Sequence, residues 1–196
     1  MSAESPPPPD AKSLETSARA ASKGGLPPIH LWNPPDCGEI DIHIARDGTW
    51  YHEGSEIRRP GLVRLFSTIL RKEGDRYVLV TPVEKVGIRV DDAPFVAVDF
   101  EVSGSGTDQK IIFETNVGDL VTAGDATPIR ITRDPETEEP SPYVLVRDRL
   151  EALIDRKSFY RLVDIAEPRV HAGETWFGVW SSGRFFPIAP AGDGAG

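Results

Sequence analysis

The sequence is nearly without cysteine, since Cys37 is the only one among 196 residues. An intramolecular disulfide is therefore excluded, and there is no cysteine cluster that could hold zinc. Cys37 lies between Asp36 and Gly38 with no basic neighbour in the sequence to activate it, which favours an incidental role over a reactive thiol. A thiol-poor chain is compatible with a reducing compartment, and we expect a cytoplasmic protein.

Long apolar runs and an excess of positive charge are missing as well. No apolar stretch approaches the ~20 residues of a membrane-spanning helix, and the N-terminus lacks the basic-then-apolar order of a secretory signal. Lys and Arg number 22 against 31 Asp and Glu, a formal net charge of −9. This charge repels nucleic-acid phosphates and anionic lipids, so we expect neither a nucleic acid polymer nor a membrane as partner. A local basic pocket for one small anion is still allowed.

Sequence patterns of metal binding and catalysis are also absent. The four histidines have no i, i+4 pairing on a helix. Residues 104–108 are glycine-rich but lack the Gly-Lys-Ser/Thr ending of a phosphate loop, and no Gly-x-Ser-x-Gly motif occurs. Asp99 and Glu101 could together hold a divalent cation, although a solvated sheet face is favoured. We predict no metal, no cofactor and no catalytic residues.

Composition divides the chain into two tails and two domains. Residues 1–27 are rich in Ser, Ala, Pro and Gly and poor in large apolar side chains, which predicts a disordered or loosely attached tail. Within it, residues 14–23 form a short helix only if they find a surface. We expect an N-terminal domain over 28–93, a C-terminal β-rich domain with a helix over 94–190, and a second tail over 191–196.

The first domain is predicted to have ββαββ order. Alternating polar and apolar residues, an Asp47-Gly48 turn and a returning strand indicate a hairpin. Pro60 is suited to the first turn of a helix, whose apolar stripe runs from Leu62 to Leu70 and which ends at Gly74. The predicted strands are residues 39–44, 50–53, 76–80 and 83–90.

The second domain is predicted to contain further strands, one helical region and a final hairpin. The helical region spans residues 150–166, with Ser158 as a cap that splits it. The predicted strands are residues 95–102, 110–114, 129–132, 143–146, 174–180 and 184–188. The fold class is therefore α+β, with two small related β-rich domains, each an antiparallel sheet with a packed helix.

A weak internal repeat relates the two helical regions. Four identical pairs are separated by the same 97 positions, namely Ile57 and Ile154, Arg59 and Arg156, Arg64 and Arg161, and Leu65 and Leu162. The pattern is compatible with duplication of a β–α–β–β unit. Two unrelated α+β units remain an equal alternative, because hairpin–helix–hairpin order is common.

A charged segment joins the two predicted domains. Lys85 and Arg89 share one face of a strand, and Asp91 and Asp92 follow where Pro94 breaks the strand pattern. The two cations are of the kind that binds a phosphate or carboxylate. The two aspartates are suited either to turn capping, which is favoured, or to a ligand site.

Several motifs resemble the bacterial family catalogued as domain of unknown function 1285. They are HLWNP at 30–34, DGTW at 47–50, TPVEKVGI at 81–88, DDAPF at 91–95, TNVGD at 115–119, GVWS at 178–181 and FP at 186–187. The resemblance covers about residues 28–188. It implies two related α+β domains, the second superficially like pleckstrin-homology folds. It also implies a nucleotide-like ligand at the interdomain cleft and a role in signal transduction, without established catalytic residues.

Our functional hypothesis is a non-catalytic cytoplasmic protein that senses a small anionic ligand at the domain interface. The candidate ligand-binding residues are Glu84, Lys85, Arg89, Asp91, Asp92 and Asn116. One alternative is an enzyme that uses Asp91, Asp92, Glu84 or the histidines as acid and base, which requires burial or a neighbour to tune the carboxylates. Another is a protein-interaction module, including a homo-oligomer formed through exposed sheet edges or through the aromatic hairpin over 176–186.

Overall fold

Two compact units divide the chain between Pro94 and Phe95. The computed structural model describes residues 8–192. The N-terminal unit contains α1 (Ala11–Ala21), β1 (Asp36–Ile44), β2 (Trp50–His52), β3 (Ser55–Glu56), α2 (Pro60–Thr68), β4 (Leu70–Glu73), β5 (Arg76–Val80) and β6 (Lys85–Val90). The C-terminal unit contains β7 (Phe95–Ser103), β8 (Lys110–Thr115), β9 (Leu120–Thr122), β10 (Ile129–Arg133), β11 (Pro140–Arg147), β12 (Leu150–Ile154), α3 (Arg156–Asp164), β13 (Glu167–His171), β14 (Glu174–Ser181) and β15 (Arg184–Pro190). In this part of the chain no helix has both the length and the apolarity needed to cross a bilayer.

The N-terminal sheet is built from two three-stranded meanders placed side by side. Its strand order is β3-β2-β1-β6-β5-β4, with antiparallel pairs inside each meander and a parallel pair where β1 meets β6. The predicted hairpin over residues 39–53 is confirmed, and alternate β1 residues (Ile40, Ile42, Ile44) are buried. Trp50 then packs against Phe66 of α2, with 6.4 Å between the ring centroids, so α2 covers this apolar face.

The C-terminal unit repeats the same strand topology. Its six-stranded sheet has the order β10-β11-β12-β7-β8-β9, again two meanders joined by one parallel pair, here β12 with β7. The prediction of purely antiparallel sheets was wrong at this pair and at β1–β6. A sequence pattern reports which face of a strand is buried but not the direction of its neighbour. The coarser prediction, an α+β protein of two related β-rich units, is confirmed.

A third sheet accounts for the sequence repeat. Sheet β13-β14-β15 is a further antiparallel meander, and it follows α3 as β4-β5-β6 follows α2. Both helices are nine residues long. Arg64 and Leu65 lie in α2, and their matches Arg161 and Leu162 lie in α3. The 97-residue offset therefore relates two helix–meander segments that have the same order of elements.

The predicted helical region over residues 150–166 is wrong in its first part. Leu150, Ala152 and Ile154 are buried and alternate with half-buried neighbours, which is the period of a strand, and these residues form β12. The helix begins only after Asp155, whose carboxylate accepts a hydrogen bond from the Ser158 backbone N–H at 2.8 Å. Asp155, not Ser158, is therefore the cap.

The predicted ββαββ order of the N-terminal domain is also incomplete. The structure has three strands before α2 and three after it. The short strand β3 was missed, and α2 ends at Thr68 instead of continuing to Gly74. Leu70, which belonged to the predicted apolar stripe, is buried in β4. Gly74 lies in the β4–β5 turn with φ +58°, a conformation that favours glycine.

The predicted tail over 1–27 contains a helix over residues 11–21, in line with the expectation that residues 14–23 form a short helix where they find a surface. These residues form α1, which contacts α2. Leu14 and Ala18, four positions apart on one helix face, are fully buried. Glu15 adds an ion pair to Arg59 at 2.9 Å. Residues 1–7, and 193–196 of the second predicted tail, lie outside the described residues.

Candidate functional site

The charged segment 84–92 consists of Glu84, strand β6 and the start of the turn after it. Because successive strand residues point to opposite faces, Lys85, Gly87 and Arg89 share one face of β6. Val86 and Ile88 point to the other face and are buried. The charged face of β6 also carries side chains from its neighbours β1 and β5, and these ion pairs decide which charges are open to a ligand.

Lys85 has an internal partner. Its side chain is only 15% exposed, and its Nζ lies 3.0 Å from Glu73 Oε2. Glu73 also accepts a hydrogen bond from Arg71, whose guanidinium donates to the backbone carbonyls of Ile29 and Trp32 at 2.9 Å each. The Lys85 and Arg71 side chains hold the pKa of Glu73 below its usual value despite partial burial. This cluster ties β4 and β6 to the chain that precedes β1.

A second ion-pair cluster surrounds Arg76 of β5. Its guanidinium lies 2.6 Å from both Asp36 Oδ2 and Glu39 Oε1, and it donates to the Gly38 carbonyl at 3.0 Å. The hydrogen bond from Arg76 lowers the pKa of Asp36. Gly87 makes room for the Glu39 side chain, because a Cβ there would lie 2.2 Å from Glu39 Oε1. Sequence reasoning missed this cluster, although a glycine inside a strand can indicate such a close approach.

Arg89 and Asp91 are placed differently from Lys85. Arg89 is 69% exposed and has a loose ion pair with Asp41 at 3.5 Å. Asp91 Oδ1 lies 2.7 Å from His43 Nε2, and the His43 ring stacks on Tyr51 with centroids 5.9 Å apart. The register places Tyr51 opposite His43, so His52 does not face His43 as the sequence allowed.

Backbone contacts fix the turn that contains the two aspartates. The Asp91 backbone N–H donates to the Ile44 carbonyl at 3.0 Å and so extends the β1–β6 pairing. Asp92 Oδ2 lies 3.4 Å from an Arg46 guanidinium nitrogen. The Asp91 backbone therefore contributes to the strand pairing, while the Asp91 and Asp92 carboxylates contact the side chains of His43 and Arg46; the capping of backbone donors by these carboxylates stays a prediction.

A groove of about 740 Å³ lies at the end of the N-terminal sheet that contains the β4–β5 turn and the C-terminal end of β6. Its lining residues are Glu73, Asp75, Arg76, Tyr77, Ile88, Arg89, Val90 and Asp91. Of the predicted ligand-binding residues, the structure brings Arg89 and Asp91 together here. Tyr77, Ile88 and Val90 also line the groove, but Tyr77 is paired with Ile88, so their side chains lie on the sheet face opposite to that of Arg89.

Two predicted site residues lie elsewhere. The carboxylate of Glu84 is half-buried and accepts a hydrogen bond from Ser13 of α1 at 3.4 Å. Burial raises the pKa of Glu84, and the nearby Asp10 raises it further. Asn116 belongs to the C-terminal unit, where its Oδ1 accepts from the Val96 N–H at 3.0 Å and its own N–H donates to the Val96 carbonyl at 2.8 Å. Asn116 thus joins the turn after β8 to β7.

The acidic pair Asp99 and Glu101 has no geometry for a cation. Asp99 is paired with Arg161 of α3, and that hydrogen bond lowers the pKa of Asp99. Over residues 8–192, no three His, Cys, Asp or Glu side chains are grouped so that they could hold a metal ion.

Comparison with known proteins identifies relatives for both units. The profile described as "Domain of unknown function (DUF1285), N-terminal domain" matches residues 27–93. The profile described as "Protein of unknown function (DUF1285), C-terminal domain" matches residues 94–188. No curated protein matches the chain.

Two crystal structures of similar proteins are known. A DUF1285 family protein from Silicibacter pomeroyi DSS-3 is 61% identical with a TM-score of 0.82, and the match covers 91% of this chain and 95% of that one. A DUF1285 family protein from Shewanella baltica OS155 is 28% identical with a TM-score of 0.51, over 63% of this chain and 90% of that one.

Proposed function

Because the chain belongs to the DUF1285 family, whose function is unknown, we propose a function from its own residues. The protein is a non-catalytic binder of a small anionic, nucleotide-like ligand, and the groove between β5 and β6 of the N-terminal unit contacts the ligand. The cytoplasmic location and the role in signal transduction belong to the same proposal. The interdomain position of the ligand, implied by the resemblance, stays a prediction.

The observation that carries this proposal is the state of Arg89. It lines the groove and is more than half exposed. Within residues 8–192 its one ion pair is the loose pair with Asp41, which is itself 58% exposed. Exposed ion pairs of this kind contribute at most about 1 kcal/mol to the stability of the folded protein. A ligand phosphate can therefore displace Asp41 at small cost and gain a charge-assisted, bidentate contact.

The aromatic part of the groove suits the remainder of such a ligand. Tyr77 is half-buried on the sheet face opposite to Arg89 and lines the same groove, so the ligand passes around the strand ends and places its base on this ring, since nucleobases stack on aromatic side chains. Lys72 Nζ lies 5.1 Å from the Tyr77 ring centroid, a cation–π contact with a residue that lines the groove. Binding is favoured over catalysis because Asp91 is half exposed, whereas a catalytic carboxylate needs burial or a close charge to tune it.

A binding screen tests the proposal. Nucleotides, inorganic phosphate and phosphorylated metabolites are added in a thermal-shift assay, and ligands that raise the melting temperature are titrated by calorimetry. We expect R89Q to weaken binding about tenfold, the value of a charged hydrogen bond. Arg58 is the matched control, since it is exposed and has an equally loose pair with Glu56 at 3.5 Å but does not line the groove. An R58Q loss equal to that of R89Q, or no stabilising compound, would contradict the proposal.

A second candidate function rests on the His43–Asp91 pair. The Asp91 carboxylate lies 2.7 Å from an imidazole nitrogen of His43. A carboxylate in this position orients the imidazole ring of a histidine that acts as a general base. If the protein is an enzyme, a stabilising ligand is converted on incubation, and H43Q abolishes conversion while it leaves affinity intact. Recovery of the unchanged ligand would favour simple binding.

The C-terminal unit also enters the proposal. Strand β12, the sixth strand of this unit, is followed directly by α3. This arrangement is compatible with the superficial pleckstrin-homology-like character that the resemblance implies. Self-association through exposed sheet edges is part of the hypothesis as well. Sedimentation velocity at several protein concentrations would measure it.

A further inference from the structure

A second groove, formed by other residues, lies in the C-terminal unit between α3, β14 and β15. Its volume is about 410 Å³, inside the range of about 300–1,000 Å³ typical of small-molecule sites. All but one of its lining residues are apolar, namely Pro140, Phe159, Val163, Ala166, Phe177, Ile188 and Ala189. Such a lining favours a ligand with a large apolar body.

The helix wall of this groove follows from the spacing of apolar residues. Leu162 is the buried apolar residue of α3, and Ser158 is buried as well. Phe159 and Val163 are four positions apart on a neighbouring face of α3, and together with Ala166, just after the helix ends, they line the groove. Val163 is 45% exposed, and Phe177 on the opposite wall is 43% exposed. An apolar ligand would remove both side chains from water.

Arg133, at the end of β10, is the one charged lining residue. Its guanidinium donates to two backbone carbonyls, those of Glu138 at 3.2 Å and Ile188 at 3.3 Å. These neutral acceptors leave the charge of Arg133 uncompensated. Three of its five N–H donors remain for another acceptor.

Carboxylates of the adjacent loop have other partners. Asp134 accepts from the backbone N–H groups of Glu136 and Thr137 at 2.8 and 2.9 Å. Glu139 pairs with Arg156 at 3.3 Å. Among residues 8–192, no carboxylate forms an ion pair with Arg133 within 4 Å. The groove therefore combines apolar walls with a single cation.

We propose that this groove binds a free amphipathic monocarboxylate, with its aliphatic or aromatic body between α3 and the β14–β15 hairpin and its carboxylate on Arg133. One guanidinium matches one carboxylate in charge and geometry. Polyanions such as nucleotides are excluded, because their remaining charges would lie against apolar walls without partners. The site and its ligand class are independent of the N-terminal groove.

Calorimetric titration with octanoate, decanoate and dodecanoate, below their micelle concentrations, tests this site. We expect affinity to rise about fourfold for each added methylene until the groove is filled. The R133Q variant should bind decanoate about tenfold more weakly and bind 1-decanol as the natural protein does. The R133K variant keeps the charge and should keep most of the decanoate affinity, which separates a ligand contact from a folding role.

Val163 and Val170 provide a matched pair of controls. V163D places a carboxylate in the groove wall and should abolish binding of both decanoate and decanol. V170D makes the same change at an exposed position of β13 that does not line the groove, and it should leave binding unchanged. The proposal is overturned if the natural protein shows no saturable decanoate binding, if R133Q keeps full affinity, or if V170D weakens binding as much as V163D. R89Q serves as a further control and should have no effect at this site.

Discussion

Charged residues of the N-terminal unit divide into those that hold the fold and those that face solvent. Lys85 is mostly buried in its pair with Glu73, so removing Glu73 would leave the Lys85 charge buried without this partner, a change that costs up to about 3–5 kcal/mol. Arg89 loses at most about 1 kcal/mol when it leaves Asp41. This difference is why the proposed ligand contact rests on Arg89, although the two cations share one face of β6.

Glu84 gives a prediction for pH dependence. Burial raises the pKa of its carboxyl above the ordinary value of 4.5. At a pH between the unfolded and the folded pKa, the folded state therefore holds a proton that the unfolded state has released. Stability from this group is present below pH 4.5 and is lost as the pH rises through the folded pKa. E84Q removes the ionised, half-buried carboxylate and should therefore increase the free energy of unfolding at pH 7. The increase should vanish below pH 4.5, where Glu84 is neutral in both states.

Urea denaturation at pH 3.5 and pH 7 measures this difference. Glu101 is the control, because it is exposed, and E101Q should change stability equally little at both pH values. A gain for E84Q that is the same at both pH values would show that the amide packs better than the acid. The pKa argument would then be wrong.

At the scale of elements, a single side-chain substitution tests whether α1 belongs to the folded unit. Leu14 is fully buried, so L14A should lower the free energy of unfolding by about 2–4 kcal/mol through lost burial and a cavity. L26A is the matched control, because Leu26 is 59% exposed and surface truncations usually change stability by less than about 0.5 kcal/mol. Equal small effects in urea denaturation would mean that α1 is not part of the folded unit in solution.

The elements that sequence predicted best are those with local causes. The turn at Asp47-Gly48 and the start of α2 at Pro60 follow from backbone preferences of one or two residues, and both are confirmed. Residues 150–166 were assigned wrongly because Leu150, Leu153 and Ile154 fit helical spacing while Leu150, Ala152 and Ile154 fit strand spacing. Pairing of β12 with β7 and β11, which is not local, decides between them.

The candidate site was predictable only in part for a similar reason. The sequence showed that charges cluster over 84–92, and Arg89 and Asp91 do line one groove. It did not show that Lys85 forms an ion pair with Glu73 or that Asn116 accepts a hydrogen bond from the Val96 backbone N–H. Which charge is occupied depends on partners 12 to 48 positions away, such as Glu73 for Lys85 and His43 for Asp91. Residue spacing carries no information about such pairs.

At the scale of the whole molecule, the two units share more than helices. Each six-stranded sheet consists of two meanders joined by a parallel pair between its first and last strands. The helix lies between the meanders in the N-terminal unit and after them in the C-terminal unit. The shared sheet topology and the sequence repeat are therefore two separate correspondences, because β4-β5-β6 matches β10-β11-β12 by its place in the sheet and β13-β14-β15 by its place after a helix.

Since each unit has a complete sheet and its own buried core, each should fold alone. Residues 1–94 contain Trp50 and Phe66, and residues 95–196 contain Phe113 and Leu150, all within 1% of full burial. Both fragments exceed the roughly 60 residues at which domains commonly fold without staples. We expect each to show one cooperative urea transition by circular dichroism. The fragment of residues 1–74, which ends between β4 and β5 and so lacks half of the N-terminal sheet, should show none. A cooperative transition in that control, or its absence from residues 95–196, would mean that the division at Pro94 does not separate independent folding units.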